Sequence, residues 1–147
     1  MPQTKLPLGT PDETEAAFYD ALLHADIDQL MACWSEEDEI VCVLPGTHRL
    51  IGYAVVRTAF ETLLMSGGMR VHVERLHRVD GPSTRVHNAL IRVEMGGHDQ
   101  SAEPFWVQVT SVYSKTARGW RLVAHHASQG MYEDPTQSWT GSDTTLH

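Results

Sequence analysis

The sequence lacks the features of several specialised protein classes. Its two cysteines, Cys33 and Cys42, are nine positions apart, which fits neither a disulfide framework nor a CxxC motif. We expect both to be buried free thiols. No apolar run approaches the roughly 18 residues that cross a membrane, and the first residues lack the apolar segment of a secretory signal. We therefore expect a soluble, cytoplasmic protein that does not bind membranes.

Basic residues are also scarce. Eleven Lys and Arg stand against nineteen Asp and Glu, for a net charge of -8. This balance argues against a nucleic-acid partner, because phosphate backbones are bound by Lys and Arg that replace counterions. The charge is uneven: residues 1–69 hold eleven carboxylates and three basic groups, whereas residues 70–121 hold eight basic groups and five acids. Either two layers of one fold attract each other, or the basic half attracts an anionic ligand.

The first half of the chain has helical signals. A length of 147 residues suits one domain with a substantial core. The motif "TPDE" is a capping box, with Thr10 as N-cap and Glu13 three positions later, and it predicts a helix from Pro11 to about Ala25. "DIDQ" predicts a second, short helix. "IVCVLP" then predicts a buried strand, "GTHRLIG" a loop, and residues 53–66 a third helix.

The second half reads as β-structure. The turn sequences "DGPS", "GGHDQS" and "KTARG" make consecutive strands antiparallel neighbours, and the strands cover about Arg70–Val79, Arg85–Met95, Glu103–Ser114 and Trp120–Ala127. This order predicts an α+β fold in which three N-terminal helices pack against one strongly curved sheet. We expect one domain over residues 11–128, with residues 1–10 and 129–147 as flexible tails.

Four segments carry a resemblance to a known family: "FYDALLHADIDQLMACW", "VLPG", "RLIGYAVVRTAFETLL" and "GWRLVAHHAS". Together they resemble the SnoaL-like group of the nuclear transport factor 2-like superfamily, over about residues 11–128. The resemblance implies the cystatin-like cone of a curved, antiparallel or mixed sheet, with a deep pocket between sheet and helices. It also implies a homodimer through the open sheet face. Members include isomerases, polyketide cyclases, dehydratases and non-catalytic domains, so the fold leaves the function open.

The ketosteroid isomerase branch of this superfamily resembles the chain around "ALLHADID" and "VLPG". That branch implies an oxyanion-stabilising tyrosine on the first helix and a base aspartate before the proline, and the chain has Phe18 and Leu44 there. Neither residue can donate or abstract a proton, although proton transfer next to a carbonyl needs both a base and a donor. Isomerase chemistry is therefore disfavoured. Tyr19 is a weak substitute, because it lies about 100° around the helix from Phe18.

A candidate pocket face follows from strand alternation in "FWVQVTSVY". The more apolar face, for which Ser111 supplies a polar group, comprises Phe105, Val107, Val109, Ser111 and Tyr113. The opposite face suits a dimer surface. Phe18 and Trp34 carry large apolar area from the helices toward the sheet. Phe18 either packs as plain core or contacts the ligand, and we expect Trp34 to form a wall of the pocket. The resemblance places the loop of His48 near the cavity mouth, which makes His48 a candidate ligand contact.

The orientation of Arg92 is left open. Alternation in "VHNALIRVEM" places Arg92 on the face opposite the more apolar one. The more apolar face comprises Ala89, Ile91, Val93 and Met95. However, "ALIRV" resembles a segment of the calcium/calmodulin-dependent kinase association domain, in which the arginine points into the cavity. Arg92 is thus either a pocket cation or part of an interface or surface ion pair.

Two adjacent histidines, His125 and His126, end the last predicted strand. They must point to opposite faces, so they cannot act as one catalytic pair without a bulge. If Val123 and Ala127 share the cavity face, His125 is the general-base candidate. His126 then joins the interface with Trp120, Leu122 and Ala124, although the reverse alternation is equally allowed. A hydrogen-bonded structural histidine is the alternative for either ring.

The nine histidines of the chain raise the question of a metal site. A five-residue hairpin loop at "DGPS" would place His77 and His87 opposite each other, within reach of one ion. No HxH or HxxxH motif accompanies them, so we expect an exposed pair, no metal and no cofactor.

Two functions remain. One is binding of a small, mostly apolar or anionic molecule, by a binding protein or by a cyclase, dehydratase or hydrolase that uses His125 or His126 with Arg92 and Ser111. The alternative is a non-catalytic homodimerisation or ligand-sensing domain with an inherited cavity.

Overall fold

A computed structural model describes residues 9–96 and 103–131 of the chain. Its elements, in chain order, are α1 (Pro11–His24), α2 (Ile27–Ala32), β1 (Val41–Val43), β2 (Leu50–Ile51), α3 (Tyr53–Leu63), β3 (Met69–Asp80), β4 (Thr84–Met95), β5 (Phe105–Thr116) and β6 (Gly119–Gln129). The predicted α+β class, with three helices and one sheet, is confirmed. The predicted loop "GTHRLIG" is partly wrong, because Leu50 pairs with Cys42 and forms the short edge strand β2.

The helices begin where the sequence predicts. The Thr10 side chain accepts a hydrogen bond from the Glu13 amide, and the Glu13 carboxylate accepts one from the Thr10 amide at 3.1 Å. α1 ends at Ala25, whose left-handed backbone has φ 52°. Asp26 then accepts from the Gln29 amide at 3.1 Å and starts α2. These side chains satisfy amides that the first turn of a helix leaves without partners.

The sheet has the strand order β2-β1-β6-β5-β4-β3. Strands β3 to β6 are consecutive antiparallel neighbours, as predicted. The turn sequence "GGHDQS" between β4 and β5 lies outside the described residues, except for Gly96. β1 pairs parallel with β6 through Val41 and Ala124, Cys42 and His125, and Val43 and His126. The sheet is therefore mixed, and within the described residues β2 and β3 are its edge strands and do not pair with each other.

A β-bulge at Val123 changes the faces of β6. Val112 of β5 pairs with Ala124, but the next residue, Tyr113, pairs with Leu122, so Val123 has no partner on β5. The extra residue puts Trp120 and Leu122 on the buried face together with His125 and Ala127. The expectation that Trp120 and Leu122 lie on the interface face with His126 is therefore wrong. Uninterrupted alternation cannot anticipate a bulge.

The helices cover one face of the sheet, here called the inner face, and the core lies between them. Its largest fully buried side chains include Trp34, Phe60, Leu30, Met31 and Ile40. Cys33 and Cys42 are buried free thiols, as predicted. Burial raises the pKa of each to about 12, so neither is a reactive thiolate near pH 7. Within the described ranges, no helix is long and apolar enough to cross a membrane.

The predicted tails fall only partly within the described residues. β6 extends to Gln129, and the Gly130 amide donates to the Trp106 carbonyl oxygen at 2.9 Å. The first residues of the C-terminal segment thus still pair with β5. Residues 1–8 and 132–147 lie outside the described part of the chain.

Candidate functional site

A cavity of about 690 Å³ lies between α1, α3 and the inner face of the sheet. Its volume is in the range of small-molecule sites, which are roughly 300–1,000 Å³. Among the described residues that line it, none carries a charge at neutral pH, and four have polar side chains: Tyr19, Thr47, Thr62 and His125. The remaining wall is aliphatic and aromatic. The cavity therefore favours an apolar guest that forms few directed polar contacts.

Three of the proposed ligand contacts lie in the cavity wall. Phe18 comes from α1, Val109 from β5 and His125 from β6. Strand alternation brings Val107 and Phe105 to the same wall, since they share a face with Val109. The isomerase-type positions Phe18 and Leu44 both line the cavity. These two positions therefore belong to the wall, but their side chains have neither a proton donor nor a base.

His125 is the buried polar group of this wall. Its side chain packs against two aromatic rings, with centroid distances of 5.2 Å to Phe18 and 6.2 Å to Trp34. Burial, and secondarily the neighbouring His126, lower the pKa of His125 to about 4. The ring is therefore neutral near pH 7, with one nitrogen that donates and one that accepts. His126 is exposed on the opposite face.

Ser111 supplies the orienting partner of His125. The two residues are direct neighbours across β5 and β6, and the Ser111 hydroxyl lies 3.2 Å from His125 Nδ1. The tautomer of the ring decides which of them donates. Ser111 does not line the cavity, so it holds His125 rather than touching a guest. The sequence did not identify this partner, because the pairing of Ser111 with His125 depends on the register between β5 and β6.

Tyr113 and Trp34 lie behind the cavity wall. Tyr113 is buried next to His87, with 4.9 Å between ring centroids, and burial raises the pKa of its hydroxyl. Trp34 is buried between Phe18, Phe60 and His125. Its indole Nε1 has no hydrogen-bond partner within the described chain. Both residues support the wall and do not form its surface.

His48 and Arg92 are not brought to the cavity. His48 is exposed in the turn between β1 and β2, although Leu44, Pro45 and Thr47 of the same turn line the cavity. Arg92 lies on the outer face of β4, with Nη1 2.8 Å from Glu94 and Nε 3.4 Å from Glu74. Alternation gave the correct side for Arg92. The likeness to the association domain gave the wrong side, and Arg92 is a surface ion-pair residue.

Tyr19 is a cavity-lining residue that the sequence indicated only weakly. It lines the cavity beside Phe18, with 5.8 Å between ring centroids in an edge-to-face arrangement. Burial raises the pKa of the Tyr19 hydroxyl, so this group remains a proton donor. The cavity is wide enough to be bounded by two successive positions of α1. A cavity of that width is not visible in helical periodicity.

The predicted pairing of His77 with His87 is wrong by one position. His77 pairs with Asn88, and His87 pairs with Arg78. The two histidines consequently point to opposite faces of the sheet, so they cannot share an ion. His77 is exposed, whereas His87 is buried on the inner face.

Comparison with known proteins agrees with this architecture. The chain matches the SnoaL-like domain over residues 12–132. It belongs to this family. No curated protein matches the chain.

Solved structures share the fold, among them one described as a member of the nuclear transport factor 2-like family. A provisionally assigned calcium/calmodulin-dependent protein kinase type II association domain from Thiobacillus denitrificans has 28% sequence identity and a TM-score of 0.76, over 86% of this chain and 100% of its own. A provisionally assigned dehydratase from Streptomyces avermitilis has 24% identity and a TM-score of 0.72, over 84% and 100%. A ketosteroid isomerase-like protein from Erwinia carotovora atroseptica has 16% identity and a TM-score of 0.67, over 86% and 98%.

Proposed function

We propose that the chain binds a small, uncharged, mostly apolar molecule in the cavity. The observation that carries this proposal is an apolar space of about 690 Å³ with one buried, neutral imidazole in its wall. The apolar wall supplies affinity through burial. His125 and the Tyr19 hydroxyl supply the directed contacts that select and orient a guest.

The proposed ligand is uncharged because no described lining residue would compensate a charge. Arg92, the cation that would have suited an anionic ligand, lies on the other face of the sheet in ion pairs with Glu74 and Glu94. Burying an unpaired charge in an apolar site costs several kcal/mol or more. An anionic ligand is therefore disfavoured.

Binding rather than turnover is the principal function that we infer. In a dehydratase or a cyclase, His125 would act as general base with Tyr19 as donor. Its pKa of about 4 leaves a weak driving force for proton abstraction. Ser111 and His125 are arranged like a nucleophile and its base, but Ser111 does not reach the cavity. Hydrolase chemistry through Ser111 is therefore disfavoured.

A matched pair of fluorescent dyes tests the charge preference. N-phenyl-1-naphthylamine is uncharged and apolar, and 8-anilinonaphthalene-1-sulfonate is the same ring system with a sulfonate. We expect saturable binding of the neutral dye and at least about tenfold weaker binding of the sulfonate, because the sulfonate would be buried without a counterion. Equal affinity for the two dyes would refute the uncharged ligand.

Two histidine variants locate the binding. His125→Gln removes the cavity imidazole, whereas His126→Gln changes the adjacent, exposed residue on the opposite face. We expect only His125→Gln to weaken the neutral dye or any co-purifying compound that native mass spectrometry identifies. Equal effects of both variants would place the ligand elsewhere.

Self-association is a second proposed function, supported by the 28% identity to a protein named as an association domain. We infer a homodimer through the outer face of the sheet, where Gln108, Thr110 and His126 are exposed. Light scattering at micromolar concentration should give a dimer mass. Thr110→Arg should reduce it to a monomer, while Thr58→Arg on the exposed surface of α3 should not. A wild-type monomer would exclude this interface.

A further inference from the structure

A second cluster of polar side chains lies outside the cavity, where side chains from the first turns of α1 approach β4. Asp12 and Glu15 stand three positions apart on α1, and His87 rises from β4 beneath them. One potential ligand atom from each residue can be chosen so that all three atoms lie within 4.8 Å of one another. These residues come together only through the packing of α1 on the sheet.

The buried member of this cluster has an unmet need for a partner. The His87 side chain is 2% exposed, with Nδ1 3.4 Å from Glu15 Oε2 and Nε2 3.7 Å from Asp12 Oδ1. Both separations exceed the usual 2.7–3.2 Å of an N–H···O hydrogen bond. Nδ1 has no hydrogen-bond partner in the described part of the chain. A buried nitrogen without a hydrogen-bond partner lowers the stability of the fold. A bound cation at this position would supply the missing partner.

We propose that Asp12, Glu15 and His87 bind a divalent transition-metal ion, with Zn²⁺ the best match. One imidazole and two carboxylates form a donor set that suits zinc and its first-row neighbours better than Ca²⁺ or Mg²⁺. Two ligands about 2.1 Å from a tetrahedral ion are about 3.4 Å apart, which is the separation of Nδ1 and the Glu15 oxygen. An ion binds only one nitrogen of the ring. At Nδ1 it would lie beside Glu15, and the Asp12 carboxylate, whose Oδ1 is 3.7 Å from Nε2, would have to turn toward Nδ1 to complete the site.

The exposure of the three residues is graded from core to surface. His87 is 2% exposed, Glu15 12% and Asp12 58%. An ion can reach His87 along the solvent side of Asp12, and water can complete its coordination there.

Arg78 is the competitor for this site. Its Nε lies 3.0 Å from Asp12 Oδ1, so an ion at Asp12 must share or displace the guanidinium. The positive end of the α1 dipole also opposes a cation near Asp12. Removal of the Arg78 charge should therefore tighten metal binding. If the cluster binds no metal, the same change would only break the ion pair between Arg78 and Asp12.

Metal binding would connect this site to the cavity through α1. His87 and His125 are both cross-strand neighbours of Ser111 on the inner face. An ion held by Asp12, Glu15 and His87 would fix the start of α1 against β4. The next turn of α1 carries Phe18 and Tyr19 of the cavity wall. The inferred role of the ion is to position this helix.

Calorimetric titration of the EDTA-treated full chain with Zn²⁺ near pH 7 tests the proposal. We expect one saturable site. Glu15→Gln, Asp12→Asn and His87→Asn should each weaken it by at least about tenfold. Arg78→Gln should strengthen it. His24→Gln is the matched control, because His24 and Asp20 form an exposed pair 3.4 Å apart that could hold zinc adventitiously.

The possible results separate the alternatives. No saturable binding, or binding that survives both Glu15→Gln and His87→Asn, would overturn the proposal, as would binding that disappears in His24→Gln. Thermal unfolding in EDTA shows whether each variant is folded. If His87→Asn does not fold, Glu15→Gln decides, because its side chain is nearly isosteric. Zinc should then raise the melting temperature of the wild type and leave that of Glu15→Gln unchanged.

Discussion

The hydroxyl oxygen of Ser111 lies 3.2 Å from Nδ1 of His125, directly across the β5–β6 ladder. Both side chains are buried, so this contact fixes the imidazole from behind in a water-poor environment. In the proposed binding function, the other ring nitrogen would make the contact with the guest. This relationship gives the apolar cavity a directed polar group of defined orientation.

The pH dependence of stability should report His125. Its pKa is about 4 in the folded chain, against an ordinary value of 6.5. Between these values the unfolded chain binds a proton that the folded chain does not, so stability should fall as pH drops from 6.5 to about 4. The full contribution is roughly 3 kcal/mol. Urea unfolding at a series of pH values should show a smaller loss for His125→Gln than for the wild type. Identical losses would mean that His125 is not protected from protonation.

Ser111→Ala should loosen the histidine without collapsing the fold. The substitution removes one buried hydrogen bond and should cost about 1 kcal/mol in the free energy of unfolding. NMR of the ring nitrogens should show His125 changing from one dominant tautomer to a mixture. Ser128→Ala, exposed at the end of β6, is the control. An unchanged tautomer in Ser111→Ala would remove Ser111 from its positioning role.

Val109→Phe should fill part of the cavity. Val109 lines the space, whereas the adjacent Thr110 is exposed on the opposite face. Because the added ring enters existing space, we expect a stability change below about 1 kcal/mol but loss of the neutral dye. Thr110→Phe should leave dye binding intact. Equal dye binding by Val109→Phe and the wild type would show that the dye lies elsewhere.

Thr10→Ala should destabilise α1 at its start. The substitution removes the hydrogen bond from the Glu13 amide to the Thr10 hydroxyl and should cost about 1 kcal/mol. Thr58→Ala, on the exposed side of α3, should have little effect. Chemical denaturation measures both values. A cost for Thr10→Ala no larger than that for Thr58→Ala would show that the capping box does not stabilise the chain.

The elements of the fold were predictable because their signals are local. A capping box at Thr10 and Glu13, an N-cap at Asp26 and turn residues between strands act over a few positions. The strand ends differ from the prediction by one or two residues for most strands. β2 was missed because a two-residue strand depends on its pairing with β1, which no local pattern encodes.

The candidate site was predictable only in part. Alternation along β5 placed Val109 on the cavity side and Ser111 on the same face, since the period of a strand is fixed by its geometry. Alternation could not show that Ser111 contacts His125 and does not itself line the cavity. The sequence did not predict the place of Tyr19 in the cavity wall or the cluster around His87, because both depend on how α1 packs on the sheet.

The sequence by itself determined the three helices, the longer strands, their order and the opposite orientations of His125 and His126, because backbone geometry sets these within one segment. Tertiary structure alone decided that a bulge at Val123 unites Trp120 and Leu122 with His125 on one face. It also decided that β1 runs parallel to β6 and that Asp12 and Glu15 meet His87. The physical reason is register: contacts between distant segments depend on how strands and helices align, and a shift of one residue exchanges the two faces of a strand.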